Sequence, residues 1–138
     1  MFNFLQNSSF EILSKNLKAI YENIKNTQKQ TMQNLGREMK LEIKNILDIP
    51  VSKTGAKIVR SLPYEPPRKV SGNLQNSVDY FVEENTDNLS VKVFCAGSAP
   101  YALYLEYGTE KTAPRPFMLP TLNKYALILK EETKGNFL

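Results

Sequence analysis

The sequence predicts an α+β domain with a long N-terminal helix, a small antiparallel β-sheet containing a hairpin, and a C-terminal helix packed on the sheet. Three observations support this class. Apolar residues recur at three- and four-residue steps before Pro50, alternate with polar residues between Val78 and Cys95, and return to helical spacing after Pro120. A chain of 138 residues fits one domain and can bury about two-thirds of its unfolded surface. We therefore expect a single domain spanning residues 1–138.

Residues 1–50 are predicted to form the long helix. Ser8 and Glu11 have the spacing of a capping box, so the helix should begin there. Two apolar stripes follow, made of Phe10, Leu13, Leu17, Ile20 and Ile24, and of Met32, Leu35, Met39, Ile43 and Ile46. Between them, residues 25–31 contain no apolar side chain, so this part should face solvent or a partner's polar surface. Pro50 ends the helix because it lacks an N–H group.

Residues 51–72 are predicted to form a long, mobile loop, because prolines at 63, 66 and 67 interrupt regular structure. The chain has a net charge of +4, and this segment concentrates basic residues. They are Lys53, Lys57, Arg60, Arg68 and Lys69. Two interpretations stay open: the loop contacts DNA phosphates, or it is a solvated linker that docks on an acidic neighbour.

Residues 73–133 are predicted to hold the sheet and the closing helix, and residues 134–138 a short tail. The alternating segments flank a turn at 85–88, which gives a β-hairpin. Phe81 and Phe94 lie on the face opposite the main apolar one, so a helix or a neighbouring subunit should cover that face too.

The segment that follows the hairpin is predicted to be a short helix with a sharp stop. Tyr101–Tyr107 suits a helix better than a strand, and Gly108 supplies its end. Pro114 and Pro116 then keep the chain extended, as a strut or an edge strand.

The residue types exclude most catalytic chemistry. The chain has no histidine, which removes the commonest general base, the Ser-His-Asp triad and imidazole metal ligands. Cys95 is the only cysteine, so it allows neither an internal disulfide nor a cysteine metal cage, and it is expected to be a small buried hydrophobe. We expect no enzymatic activity, no cofactor and no metal.

Glu106 and Arg115 are the charged residues with the most distinctive surroundings. Glu106 lies among apolar residues beside a glycine turn, where burial could raise its pKa, but catalysis would need a partner. A structural ion pair with Arg115 is the favoured alternative. Arg115, held between two prolines, could instead bind a carboxylate of a neighbouring subunit or stay solvated. Phe117 and Leu119 are expected to be core residues.

The ends of the chain show neither a secretory signal nor a membrane span. The first ten residues lack a basic region followed by an apolar run, and about 18 consecutive apolar residues occur nowhere. We expect a protein of the reducing cytoplasm with no membrane partner.

A series of short motifs resembles one known family. In order they are Ser71-Gly72-Asn73-Leu74, Ser77-Val78, Tyr101-Ala102, Glu106-Tyr107-Gly108-Thr109, Arg115-Pro116-Phe117 and Pro120. Their order and spacing resemble the head-tail joining (neck or tail-completion) family of long-tailed bacteriophages and prophages, over roughly residues 60–130. The long helix is only generically similar to that family.

The resemblance implies a structural subunit that forms a ring in the virion neck, after assembly in the host bacterial cytoplasm. Its expected partners are copies of itself, the connector or head-closure protein, the tail tube or tail terminator protein, and transiently the packaged DNA. The expected interface with another subunit or neck partner comprises Tyr101, Glu106, Tyr107, Gly108, Thr109, Arg115, Pro116 and Phe117. The alternative is a nucleic-acid-binding accessory protein that uses the basic loop.

Overall fold

The computed structural model describes residues 2–97 and 99–135, and it confirms the α+β class. In chain order the elements are α1 (Phe2–Ile46), β1 (Ser52–Thr54), β2 (Lys57–Val59), α2 (Asn73–Ser77), β3 (Val78–Glu84), β4 (Leu89–Cys95), α3 (Ala102–Tyr107) and α4 (Leu119–Gly135). β1 pairs with β2 and β3 with β4, so the strands form two separate antiparallel pairs.

The β3–β4 hairpin is confirmed, with Val78 opposite Cys95 at its base and Glu84 opposite Leu89 at its tip. Helix α1 packs across one face of this hairpin at Gly36. A Cβ atom on Gly36 would lie 2.7 Å from the Cε2 atom of Tyr80 and 2.8 Å from a methyl group of Val91. A glycine inside a helix weakens that helix by about 1 kcal/mol relative to alanine, but Gly36 allows α1 to approach the sheet closely.

The opposite face of the hairpin carries Phe81 and Phe94, which were expected to be covered. Their rings meet edge to face, with centroids 5.7 Å apart, yet both side chains remain exposed. Lys92 lies over the Phe81 ring at 5.9 Å. The described residues thus leave this aromatic pair accessible.

The core lies where the C-terminal half of α1 meets the base of the hairpin, α3 and the start of α4. Its buried cluster is Ile43, Leu47, Val78, Ala102 and Phe117. The closing helix was expected on the sheet, but its main neighbour is α1. The two helices are joined by an ion pair in which the Lys124 ammonium lies 2.9 Å from a Glu42 carboxylate oxygen.

The polar middle of α1 contacts the hairpin tip of the same chain. Lys25 and Lys29 lie 2.6 Å and 3.0 Å from the two carboxylate oxygens of Glu84. The absence of apolar residues in this stretch therefore marks an ionic contact within the fold.

The start of the helix also differs from the prediction, since α1 begins at Phe2 and Ser8 lies within helical backbone.

The prediction of a continuous loop over 51–72 is wrong in its first part, where β1 and β2 pair. The second part is irregular but bonded to the body. The N–H of Lys69 donates to the carbonyl of Ile49 at 2.8 Å, and the N–H of Tyr64 donates to that of Pro114 at 2.8 Å. The short helix α2 then follows Gly72, whose positive φ of 84° suits glycine.

Acid is expected to destabilise this fold through its paired carboxylates. Hydrogen bonding to Lys124 lowers the pKa of Glu42, and lysine partners likewise lower the pKa values of Asp48, Asp79 and Glu84. A folded-state pKa below the unfolded one gives stabilisation that is present above the ordinary value, which is 4.5 for Glu42. That stabilisation is lost as the pH falls through the lowered folded-state value. Urea unfolding at a series of pH values should show this loss, and Glu42→Gln should show a smaller one. An equal loss in the variant would contradict a role for this pair.

Candidate subunit-contact site

Glu106 sits on α3 and binds the beginning of α4. One carboxylate oxygen accepts hydrogen bonds from the N–H groups of Phe117 and Met118, at 2.9 Å and 3.0 Å, and the other accepts from Leu119 at 2.8 Å. The first N–H groups of a helix have no partner within it, and the helix dipole favours negative charge there. Glu106 therefore fixes the junction between the two helices. The prediction of an ion pair between Glu106 and Arg115 is therefore wrong.

Arg115 binds a different segment of the same chain. Its Nε donates to the Ser61 hydroxyl at 3.0 Å, its Nη2 to the Ser61 carbonyl at 3.3 Å, and its backbone N–H to the Leu105 carbonyl at 2.6 Å. Ser61 is itself buried. The stretch around Arg115 is a strut that ties residues 61–64 to α3, and it forms no strand.

Gly108 ends α3 in a conformation that favours glycine. Its φ is 75°, and its N–H donates to the Tyr104 carbonyl at 2.9 Å. A Cβ atom here would lie 2.8 Å from the carbonyl oxygen of Thr112. The chain then turns tightly, with Thr109 and Thr112 bonded to each other through their backbones. The predicted stop is thus confirmed.

Several residues assigned to the interface are occupied within the fold. Phe117 is completely buried, so it cannot contact another subunit directly. Glu106, Gly108 and Arg115 hold backbone in place, and Pro116 is half-buried in the strut. Only Tyr101, Tyr107 and Thr109 in the predicted set are exposed. Leu119, expected in the core, is exposed instead.

Two exposed residues on α3 were missed. Leu103 and Tyr104 join Tyr107 in an exposed apolar group that we call the α3 patch. A signal for it exists in the sequence, because every residue of this short helix except Glu106 is apolar. A helix that is apolar on all sides cannot bury every side when it packs on one core.

Two concave surfaces border α3. An apolar groove of about 420 Å³ is lined by Leu103 and Tyr107 and by residues of β4 and α4, including Val93 and Leu122. A second cleft of about 450 Å³ is lined by Tyr101 and Leu105 together with basic residues. Those basic residues are Arg60, Arg68, Lys69 and Arg115.

The five basic residues of 51–72 do not all share one surface, because Arg60, Arg68 and Lys69 line the second cleft and Lys53 and Lys57 do not. Lys69 pairs with Asp48 at 2.7 Å, and Arg68 lies 3.7 Å from Glu65. Lys53 and Lys57 are exposed on the β1–β2 pair. Lys53 is opposite Ile58 and Lys57 is opposite Thr54. Side chains of successive strand residues point to opposite faces, so these two lysines lie on different faces of the hairpin.

The described residues hold no group of histidine, cysteine or acidic side chains that could bind a metal ion. Cys95 is half-buried, and burial raises the pKa of its thiol. Within residues 2–97 and 99–135, no helix has the length and apolar character required to cross a membrane. No protein-family model, curated protein or solved structure matches this sequence.

Proposed function

We propose that this chain is a structural subunit of the bacteriophage neck, which joins the head connector to the tail by forming a ring. The proposal originates in the motifs between Ser71 and Pro120. The observation that best supports it is the α3 patch. Glu106 ties the C-terminal part of α3 to the start of α4, and Gly108 ends α3, so that three large apolar side chains are presented on a helix held against the fold.

Rigid presentation of apolar side chains is what an assembly surface needs. An ordered surface loses little conformational entropy when it binds, and a few residues, often tyrosine, tryptophan or arginine, contribute most of the binding energy at interfaces. A ring requires two different complementary surfaces on each subunit. The α3 patch is suited to one of them. The apolar groove belongs to the same surface, because Leu103 and Tyr107 line it, and it can receive an apolar side chain from a neighbour.

Tyr64 adds a second exposed aromatic side chain near the strut. Among the described residues other than glycine, Tyr64 is the one with a positive φ, which is 67°. Its side chain is largely exposed. Such backbone costs about 1–2 kcal/mol for a residue with a Cβ atom. The exposed side chain of Tyr64 gains little packing within the monomer to offset this strain, which favours a contact outside the monomer.

The test uses two matched leucines. Leu103 on α3 is 62% exposed and Leu127 on α4 is 64% exposed, so glutamate at either site should change monomer stability by less than about 0.5 kcal/mol. In a phage lacking its own copy of the gene, Leu103→Glu is expected to give at least tenfold fewer infectious particles than the wild-type chain. Leu127→Glu should restore the wild-type level.

Equal complementation by the two variants would remove the α3 patch from the proposed interface. Urea unfolding of both purified variants provides the control for stability. A loss of particles that follows a loss of stability would likewise count against the interface.

The alternative, a nucleic-acid-binding accessory protein, is less well supported. Lys53 and Lys57 lie on different faces, and Arg68 and Lys69 already have acidic partners within the chain. Binding to DNA through phosphates would weaken steeply as salt rises. Tight binding of the purified chain to duplex DNA with that salt dependence would favour the alternative over the neck proposal.

A further inference from the structure

The first half of α1 carries an apolar stripe that no described element covers. It consists of Phe10, Leu13, Leu17, Ile20 and Ile24, each more than half exposed, and we call it the α1 seam. Single exposed apolar residues are ordinary on protein surfaces. A continuous row of five along one face of a helix is typical of an interaction surface.

The spacing of the α1 seam is that of a helix that packs on another helix. Its steps of three, four, three and four residues occupy alternate a and d positions of two heptads. The next two such positions are Thr27 and Thr31, whose hydroxyls donate to the carbonyls of Asn23 and Thr27 at 2.9 Å and 3.0 Å. The seam therefore ends at Ile24, next to the point where the hairpin tip contacts α1.

The positions that flank the α1 seam indicate which partner it suits. The e and g positions hold Ser9, Ser14, Asn16, Tyr21 and Asn23, none of them charged. The charged residues of this stretch lie at the outward b and f positions, as Glu11, Lys15, Lys18, Glu22 and Lys25. When a helix packs beside an identical copy, charged flanks can bring like charges together. Uncharged flanks avoid that repulsion, and they offer nothing to attract a strongly charged partner.

We propose that the α1 seam packs against the α1 seam of a second copy of this chain. This inference rests on the self-association that the ring proposal requires. It adds a contact between identical surfaces, which pairs two copies and is separate from the contacts between unlike surfaces that would close a ring. Two heptads are too few to hold free peptides together, because short isolated helices are barely stable. Here the C-terminal half of α1 is already packed on the hairpin, so the seam is presented on a helix that is formed before the copies meet.

The test compares two doubly charged variants of the full chain. Leu17→Glu/Ile20→Glu places two carboxylates within the seam. Ala19→Glu/Asn26→Glu adds the same charge at exposed positions outside it. Sedimentation equilibrium should show concentration-dependent association of the wild-type chain and of the outer variant. The seam variant should associate at least about 100-fold more weakly, because its carboxylates would have to be desolvated.

Circular dichroism and urea unfolding check that all three proteins keep the same helix content and stability. If the two carboxylates unwind the helix, Leu17→Ser/Ile20→Ser replaces that variant in the same comparison.

Two results would overturn the proposal that the α1 seams of two copies pack against each other. One is a wild-type chain that stays monomeric up to its solubility limit. The other is a seam variant that associates as strongly as the wild-type chain, which would assign the self-association to other surfaces such as the α3 patch. Failure of the neck proposal has a different signature. A phage that joins heads to tails without this chain would contradict the proposed role in the neck. Association that depends on the α1 seam would still support the proposed contact between two copies.

Discussion

Replacing Glu106 with alanine is expected to lower the free energy of unfolding by about 3 kcal/mol. The carboxylate accepts three backbone hydrogen bonds at the start of α4, and alanine would leave those N–H groups without their partner. Hydrogen bonds to a charged group contribute about 1.5–3 kcal/mol each, and water at the exposed Leu119 N–H recovers part of the loss. The result would identify Glu106 as the residue that fixes α4 against α3.

Two further variants separate this role from a general effect of charge. Glu106→Gln keeps one carbonyl oxygen as an acceptor, so it should cost about half as much as alanine. Glu110→Ala removes the same charge from an exposed site in the next turn and should change stability by less than about 0.5 kcal/mol. Urea unfolding monitored by circular dichroism measures all three. Equal effects of Glu106→Ala and Glu110→Ala would contradict the capping role.

Gly36→Val is expected to lower the free energy of unfolding by about 3 kcal/mol, the upper end of the range for overpacking a well-packed site. Even a single Cβ atom at this position would overlap the Tyr80 ring and a methyl group of Val91. The added side chain must push α1 away from the β3–β4 hairpin. Gly36→Ala should cost less, about 1 kcal/mol, because alanine also favours the helix.

The control for this substitution is Gly97→Val, since a Cβ atom at Gly97 has no heavy atom within 4 Å. That variant should change stability by less than about 0.5 kcal/mol. Thermal and urea unfolding of the pair give the comparison. A Gly36→Val protein as stable as the wild type would mean that α1 does not lie this close to the sheet.

Local sequence signals were sufficient for much of the fold. Helical spacing located α1 and α4, alternation located the β3–β4 hairpin, and Gly108 marked the end of α3. Each of these signals lies within the element that it predicts. The same signals missed β1 and β2, because two three-residue strands are too short to show alternation. They also missed α2, which extends over only five residues.

The partners of charged side chains could not be predicted in this way. Glu106 and Arg115 are close in sequence and opposite in charge, yet each binds backbone or hydroxyl groups elsewhere in the chain. Lys25 and Lys29 meet Glu84, which is more than fifty residues away. Such choices depend on where the packed core brings distant segments together, and no local pattern encodes them. The apolar composition of α3 indicates that one of its faces stays exposed, but which face this is depends on the core on which the helix packs.

The role in joining heads to tails is tested most directly by electron microscopy of particles from a phage in which the gene for this chain is inactivated. The proposal expects DNA-filled heads and complete tails that remain separate, with joined particles restored when the wild-type chain is supplied. Joined, infectious particles in the absence of the chain would contradict it.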